Sequence, residues 1–204
     1  MSSFKKDLLS ASLNGNILRL SALVAAKASV EGEGWFRKAP LHLAAEKGHV
    51  SAVQVLLNTG ATVDVKTSED ITPLHLAAGE NHADVVEVLV HANANVNACC
   101  SWRQTPLHRA ISRSSSAAAR VLINAKASLD IRDHMQRTPL YVALFFGRGD
   151  VVRLLVEAKA SFDVEGDHHS SLLLTAAARG YVTTAQVLSE AEARSEEHTS
   201  ELQS

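Results

Sequence analysis

The sequence Thr-Pro-Leu-His, whole or with one residue changed, returns at intervals of 33 residues. Complete copies begin at Thr72 and Thr105, while Ala39-Pro40-Leu41-His42 and Thr138-Pro139-Leu140-Tyr141 each change one residue. Ser171-Leu172-Leu173-Leu174 keeps the register with most side chains altered. A fixed period constrains the fold more tightly than composition does. A unit this short cannot bury its apolar face alone and must stack on its neighbours. The expected product is an all-α repeat solenoid, which offers a long surface rather than a closed catalytic pocket.

Each signature residue has a physical task. Thr suits the helix N-cap, where its hydroxyl accepts an orphan backbone N–H. Pro fits the first helical position, where its missing N–H costs nothing. Leu points into the stack, and His is expected to be buried and hydrogen-bonded within its own turn. Two positions beyond the His register stands an alanine in every unit: Ala11, Ala44, Ala77, Ala110, Ala143 and Ala176. A residue that small at one fixed place marks a close approach of helices.

The remainder of each unit is equally regular. Thr72 to Glu80 reads as one short helix, Asn81 as a turn, and about Ala83 to Ala92 as a second helix with Val85, Val86, Val88 and Leu89 at helical spacing. The turn position is Gly15, Gly48, Asn81, Ser114, Gly147 and Gly180. Gly and Asn there predict a left-handed C-cap, which Ser114 fits least well. A second such position is Gly60, with Lys27, Asn93, Lys126 and Lys159 as its equivalents. A lysine at positive φ costs about 1 kcal/mol relative to glycine. Short extended segments such as Ala94-Asn95-Val96-Asn97 then lead to a polar hairpin tip.

With these features together, the chain resembles the ankyrin-repeat family, whose period and signature it shares. The likeness covers residues 3–193 in six units: 3–35, 36–68, 69–101, 102–134, 135–167 and 168–193. It is close in the three central units and good in the fifth. The first has Lys6-Asp7-Leu8-Leu9 where the signature should stand, and the sixth has lost Pro and His. Degenerate ends suit terminal repeats, which have one neighbour each. The resemblance implies helix–turn–helix units with short β-hairpin tips and a partner-binding surface.

Residues 194–204, from Arg194 to Ser204, break the repeat. They resemble the translation of a sequencing adapter, so they are expected to be a non-native tail that hides the true C-terminus. Their one arginine and three glutamates account for the whole formal charge of −2. A near-neutral chain argues against a dedicated nucleic-acid or anionic-membrane binder. No apolar stretch is long enough to span a bilayer. The N-terminal Met1-Ser2-Ser3-Phe4-Lys5-Lys6 lacks a signal-peptide core, which makes cytoplasm or nucleus the expected location.

Nothing in the sequence assembles a catalytic or cofactor site. Adjacent Cys99 and Cys100 would close a strained ring and are expected to be free thiols. His42, His75 and His108 recur once per repeat, about 10 Å apart, too far to share an ion. His168-His169 beside Asp167 is a weak metal signal. There is no activated nucleophile, no phosphate-binding glycine loop and no paired carboxylates in a predictable pocket. No cofactor, metal or small-molecule substrate is expected.

Function is therefore expected on the surface, at the hairpin tips and on the first-helix face that the resemblance places in a concave groove. The tips carry Trp35-Phe36-Arg37-Lys38, Lys66 to Asp70, Trp102-Arg103-Gln104 and Met135-Gln136-Arg137. Trp and Arg are frequent binding hot spots, although each ring could instead fold over its own hairpin. Before the turn, the fifth unit places Phe145-Phe146 where others place residues such as Glu46-Lys47, Gly79-Glu80 and Ser112-Arg113. That pair predicts an apolar patch, unless Phe145 packs inward. The candidate partner-binding residues are Trp35, Phe36, Trp102, Arg103, Arg109, Arg113, Met135, Phe145 and Phe146, with the arginines meeting carboxylates. Asn97, after Val96 and eight residues beyond Leu89, is similar to sites of the asparaginyl hydroxylase that acts on ankyrin repeats. The alternative is a hairpin Asn bonding its own backbone.

The reading is a non-catalytic, monomeric scaffold for a protein partner. The alternative is the targeting or regulatory module of a longer enzyme, channel or ubiquitin-ligase adaptor.

Overall fold

The computed structural model describes residues 3–26 and 34–161. The sixth repeat, His168-His169 and the tail after Ala193 lie outside them, as do Lys27 and Ala176. The chain divides into two compact bodies, one running to Ala127 and the other beginning at Ser128.

The first body holds four helix pairs: α1 (Ser3–Leu13) with α2 (Ile17–Ala25), α3 (Pro40–Glu46) with α4 (Val50–Asn58), α5 (Pro73–Gly79) with α6 (Ala83–His91), and α7 (Pro106–Ser112) with α8 (Ser116–Asn124). The first helices α1, α3, α5 and α7 pack side by side in one layer, and α2, α4, α6 and α8 form a second. The described part of the second body holds α9 (Pro139–Phe145) and α10 (Gly149–Glu157), which pack together. Among the described residues there are no β-strands; the tips are turns.

The core follows the period. Leu41, Leu74, Leu107 and Leu140 of the signature are completely buried, and so are Leu56, Leu89, Leu122 and Leu155 of the second helices. Each such leucine contributes about 2 kcal/mol by leaving water. Ala11, Ala44, Ala77, Ala110 and Ala143 are buried as expected. Both predicted cap positions are left-handed: Asn81 and Ser114 have φ of 61° and 64°, and Asn93, Lys126 and Lys159 have 62°, 62° and 63°. Each bend is closed by an N–H reaching back five residues, as in His82 to Ala77 O (3.0 Å) and Ala127 to Leu122 O (3.0 Å).

The signature histidines do more than cap their own turns. Nδ1 of His42, His75 and His108 accepts the backbone N–H of Ala39, Thr72 and Thr105 at 3.1, 3.2 and 3.3 Å. The hydroxyls of Thr72 and Thr105 also lie 2.9 Å from Nδ1 of His75 and His108. That leaves the proton on Nε2, which donates to a carbonyl in the following repeat: Ile71 O from His42 (2.9 Å) and Gln104 O from His75 (3.0 Å). One ring thus ties a helix start to the next tip. Burial, outweighing the carbonyl bond, lowers the pKa of His42 and takes that of His75 to about 4. These are neutral structural groups at ordinary pH.

Candidate functional site

The tips share one backbone design. Thr67, Cys100 and Asp133 donate their N–H to the carbonyls of Ile71, Gln104 and Arg137 at 3.0, 3.1 and 3.0 Å. Gly34 and Lys38 do the same at 2.7 Å. Each tip has a residue of positive φ at one register position, Arg37 (56°), Asp70 (57°), Arg103 (55°) and Gln136 (60°), and the first tip adds Phe36 (55°). The register positions are also 33 apart, yet none is glycine, so residue type gave no local hint. Within the first body the tips are tied together. Ser68 N–H donates to Phe36 O (3.2 Å), and Ser101 N–H donates to Glu69 O (3.0 Å).

The tips differ in how firmly their first residue holds them. Asp133 Oδ1 accepts the N–H groups of Met135 (2.8 Å) and Arg137 (3.0 Å), while Oδ2 takes the Arg137 guanidinium at 2.9 and 2.7 Å. Burial would push the Asp133 carboxyl up, but these donors outweigh it and hold it below the usual carboxylate range. Thr67 Oγ1 makes a weaker version, accepting from Glu69 (3.3 Å) and Ile71 (3.1 Å). Cys100 offers only sulfur at this place.

From this frame Phe36, Trp102 and Met135 project into solvent, exposed by 71%, 41% and 60%. Arg103 is exposed beside Trp102. Trp35 opens the 3-10 turn Trp35–Arg37; its side chain is not among those described. Cys99 is exposed and Cys100 buried, both as free thiols. Asn97 is half-buried, and its N–H donates to Asn95 Oδ1 at 3.0 Å.

On the first-helix face of the first body the charges are sorted. Lys38 pairs with Glu46 at 2.7 Å, and exposed Arg113 meets Glu80 at 3.5 Å. Arg109 is half-buried and makes no such pair. Its stem lies on Gly79, where a Cβ would meet Arg109 Nε at 3.1 Å and Cγ at 3.2 Å. Nε is buried without an acceptor. Burial first, then the Arg113 charge, lowers the Arg109 pKa from its ordinary value. Gly79 was missed by sequence reasoning as a functional residue. Its signal was a gap in the register, since the equivalent positions hold Glu46, Ser112 and Phe145.

In the second body α9 presents an aromatic run. Tyr141, in the place of the signature histidine, stacks on Phe145 with ring centres 6.4 Å apart. Phe146 meets Phe145 edge-on at 5.2 Å, and Arg148 lies over the Phe146 ring at 5.9 Å. Phe146 is exposed and Phe145 half-buried.

Among the described residues no three His, Cys, Asp or Glu side chains cluster to hold a metal ion. No described helix is long and apolar enough to cross a membrane. A helical repeat frame with variable, exposed tips defines a solenoid of the interaction class. The ankyrin-repeat family description (three copies) matches residues 8–100 and 92–166, and the chain belongs to that family. Its members generally mediate protein–protein interaction and are typically non-catalytic. A search of curated proteins gave no match.

Proposed function

We propose that this chain is a non-catalytic scaffold that binds a protein partner through its hairpin tips and first-helix face. The observation that carries this reading is the exposure of Phe36, Trp102 and Met135 on turns whose backbone is closed by hydrogen bonds. Large rings on a rigid frame lose little further entropy on binding, so more of each contact converts to affinity. Phe146, with Arg148 over its ring, supplies a second apolar anchor in the other body.

Substitution of the anchors tests this. Trp102→Ser and the double variant Phe145→Ser with Phe146→Ser are each expected to lose captured partner at least tenfold, at unchanged helical circular dichroism. A loss of about 2 kcal/mol per anchor is the size expected for a hot spot. Partner retention by both folded variants would remove these residues from the interface.

A further inference from the structure

We propose that Arg109 receives a side-chain carboxylate from an acidic partner segment lying along the first-helix face of the first body. The inference rests on the scaffold reading and assigns the chemistry of what that face takes.

Four observations converge. Arg109 stands in α7 where the same register holds Leu43, Leu76 and Val142, so its charge replaces an apolar side chain. Its stem fills a slot that exists because Gly79 has no side chain. Its Nε is desolvated against that slot with no acceptor, a cost the folded chain does not recover internally. The neighbouring carboxylates are already engaged, Glu80 with Arg113 and Glu46 with Lys38. The face thus holds a guanidinium that no carboxylate meets at salt-bridge distance among the described residues, with the exposed cation Arg113 beside it and Glu80 and Glu46 acting on it only from further away. A planar fork held by its stem suits a carboxylate, which it can take through paired N–H groups.

The test selects a random phage-displayed peptide library on the immobilised full chain and, in parallel, on Arg109→Leu and Arg109→Met. Leucine restores the residue type of this register, and methionine keeps an unbranched stem over Gly79. Peptides selected by the unaltered chain should be enriched in Asp and Glu, and their affinity should fall with added salt. They should bind both variants about tenfold or more weakly, the effect of losing one charge-assisted pair. Both variants should melt higher by about 2–4 °C, because an unsatisfied buried group has been removed. A lower melting temperature in both would make Arg109 a structural residue and overturn the proposal. Peptides indifferent to both variants but lost on Trp102→Ser would overturn it while leaving the docking surface intact. Preference for phosphoserine over glutamate in matched synthetic peptides would overturn the carboxylate assignment. Failure to select any peptide would count against the scaffold reading itself.

Discussion

The third and fourth repeats share a backbone and differ in what they show to solvent. Helices α5 and α7 begin alike, with His75 and His108 accepting the N–H of the capping threonine. Both bend into their second helices through a left-handed residue, Asn81 or Ser114. The connection back to the preceding repeat is also kept, by different atoms. His82 Nε2 donates to Glu46 O at 3.1 Å, whereas Ser115 Oγ donates to Gly79 O at 2.8 Å. The change has a steric consequence. A Cβ on Gly48 would lie 2.5 Å from the His82 ring, so a repeat followed by histidine needs glycine at its bend. Ser115 is small, and the bend before it carries Asn81, whose Oδ1 accepts the Ala118 N–H at 3.2 Å. The backbone hydrogen bond persists while the side chains around it change in matched pairs. The first-helix face differs as well, Leu76 giving way to Arg109.

The largest effect tests whether the two frames are equivalent. Leu74→Ala and Leu107→Ala each empty a fully buried site at the same register. Each should cost about 3 kcal/mol, the usual cost of such a cavity. Denaturant unfolding of both variants measures this. A difference between them well above 1 kcal/mol would show that the fourth repeat has changed its interior along with its surface.

A second effect concerns the histidine that links the repeats. The His75 pKa is about 4 when folded, against 6.5 unperturbed. The unfolded chain therefore binds a proton that the native state refuses, and stability falls as the pH drops from about 6.5 towards 4. The loss from His75 alone should reach about 3 kcal/mol, then level off below the folded value. His42, shifted the same way by burial, adds to it. His75→Gln should be less stable at neutral pH, with the gap to the unaltered chain closing on acidification. A gap independent of pH would mean that the ring titrates alike in the folded and unfolded chain, and a gap that widens on acidification would mean that it is protonated in the fold.

Much of this frame was legible because it is local. The period, the Thr-Pro helix starts, the buried alanines and the left-handed bends each follow from residues within a few positions of one another. Lys126 and Lys159 were even placed at positive φ against their type, by register alone. The site was less legible because its parts are distant in sequence. Arg109 needs Gly79, and His75 needs the carbonyl of Gln104, each about a repeat away. The tip residues Arg37, Asp70, Arg103 and Gln136 are left-handed without looking so. Extending the period from the helices to the tips would have found them. The exposed aromatics were visible as composition, but their exposure depended on tips that only coordinates describe.

The smallest effect separates the two bends. Ser114 has positive φ, and its side chain makes no compensating hydrogen bond among the described residues, so Ser114→Gly should raise stability by about 0.5–1 kcal/mol through relief of backbone strain. Asn81 tolerates the same conformation better, and its side chain accepts the Ala118 N–H. Asn81→Gly relieves less strain and loses that bond, so it should be neutral or cost about 0.5 kcal/mol. Paired denaturation curves, compared at their midpoints with unchanged slopes, resolve a difference of this size. If both substitutions stabilise equally, the Asn81–Ala118 bond contributes nothing, and the pairing of Asn81 with Ser115 reduces to available space.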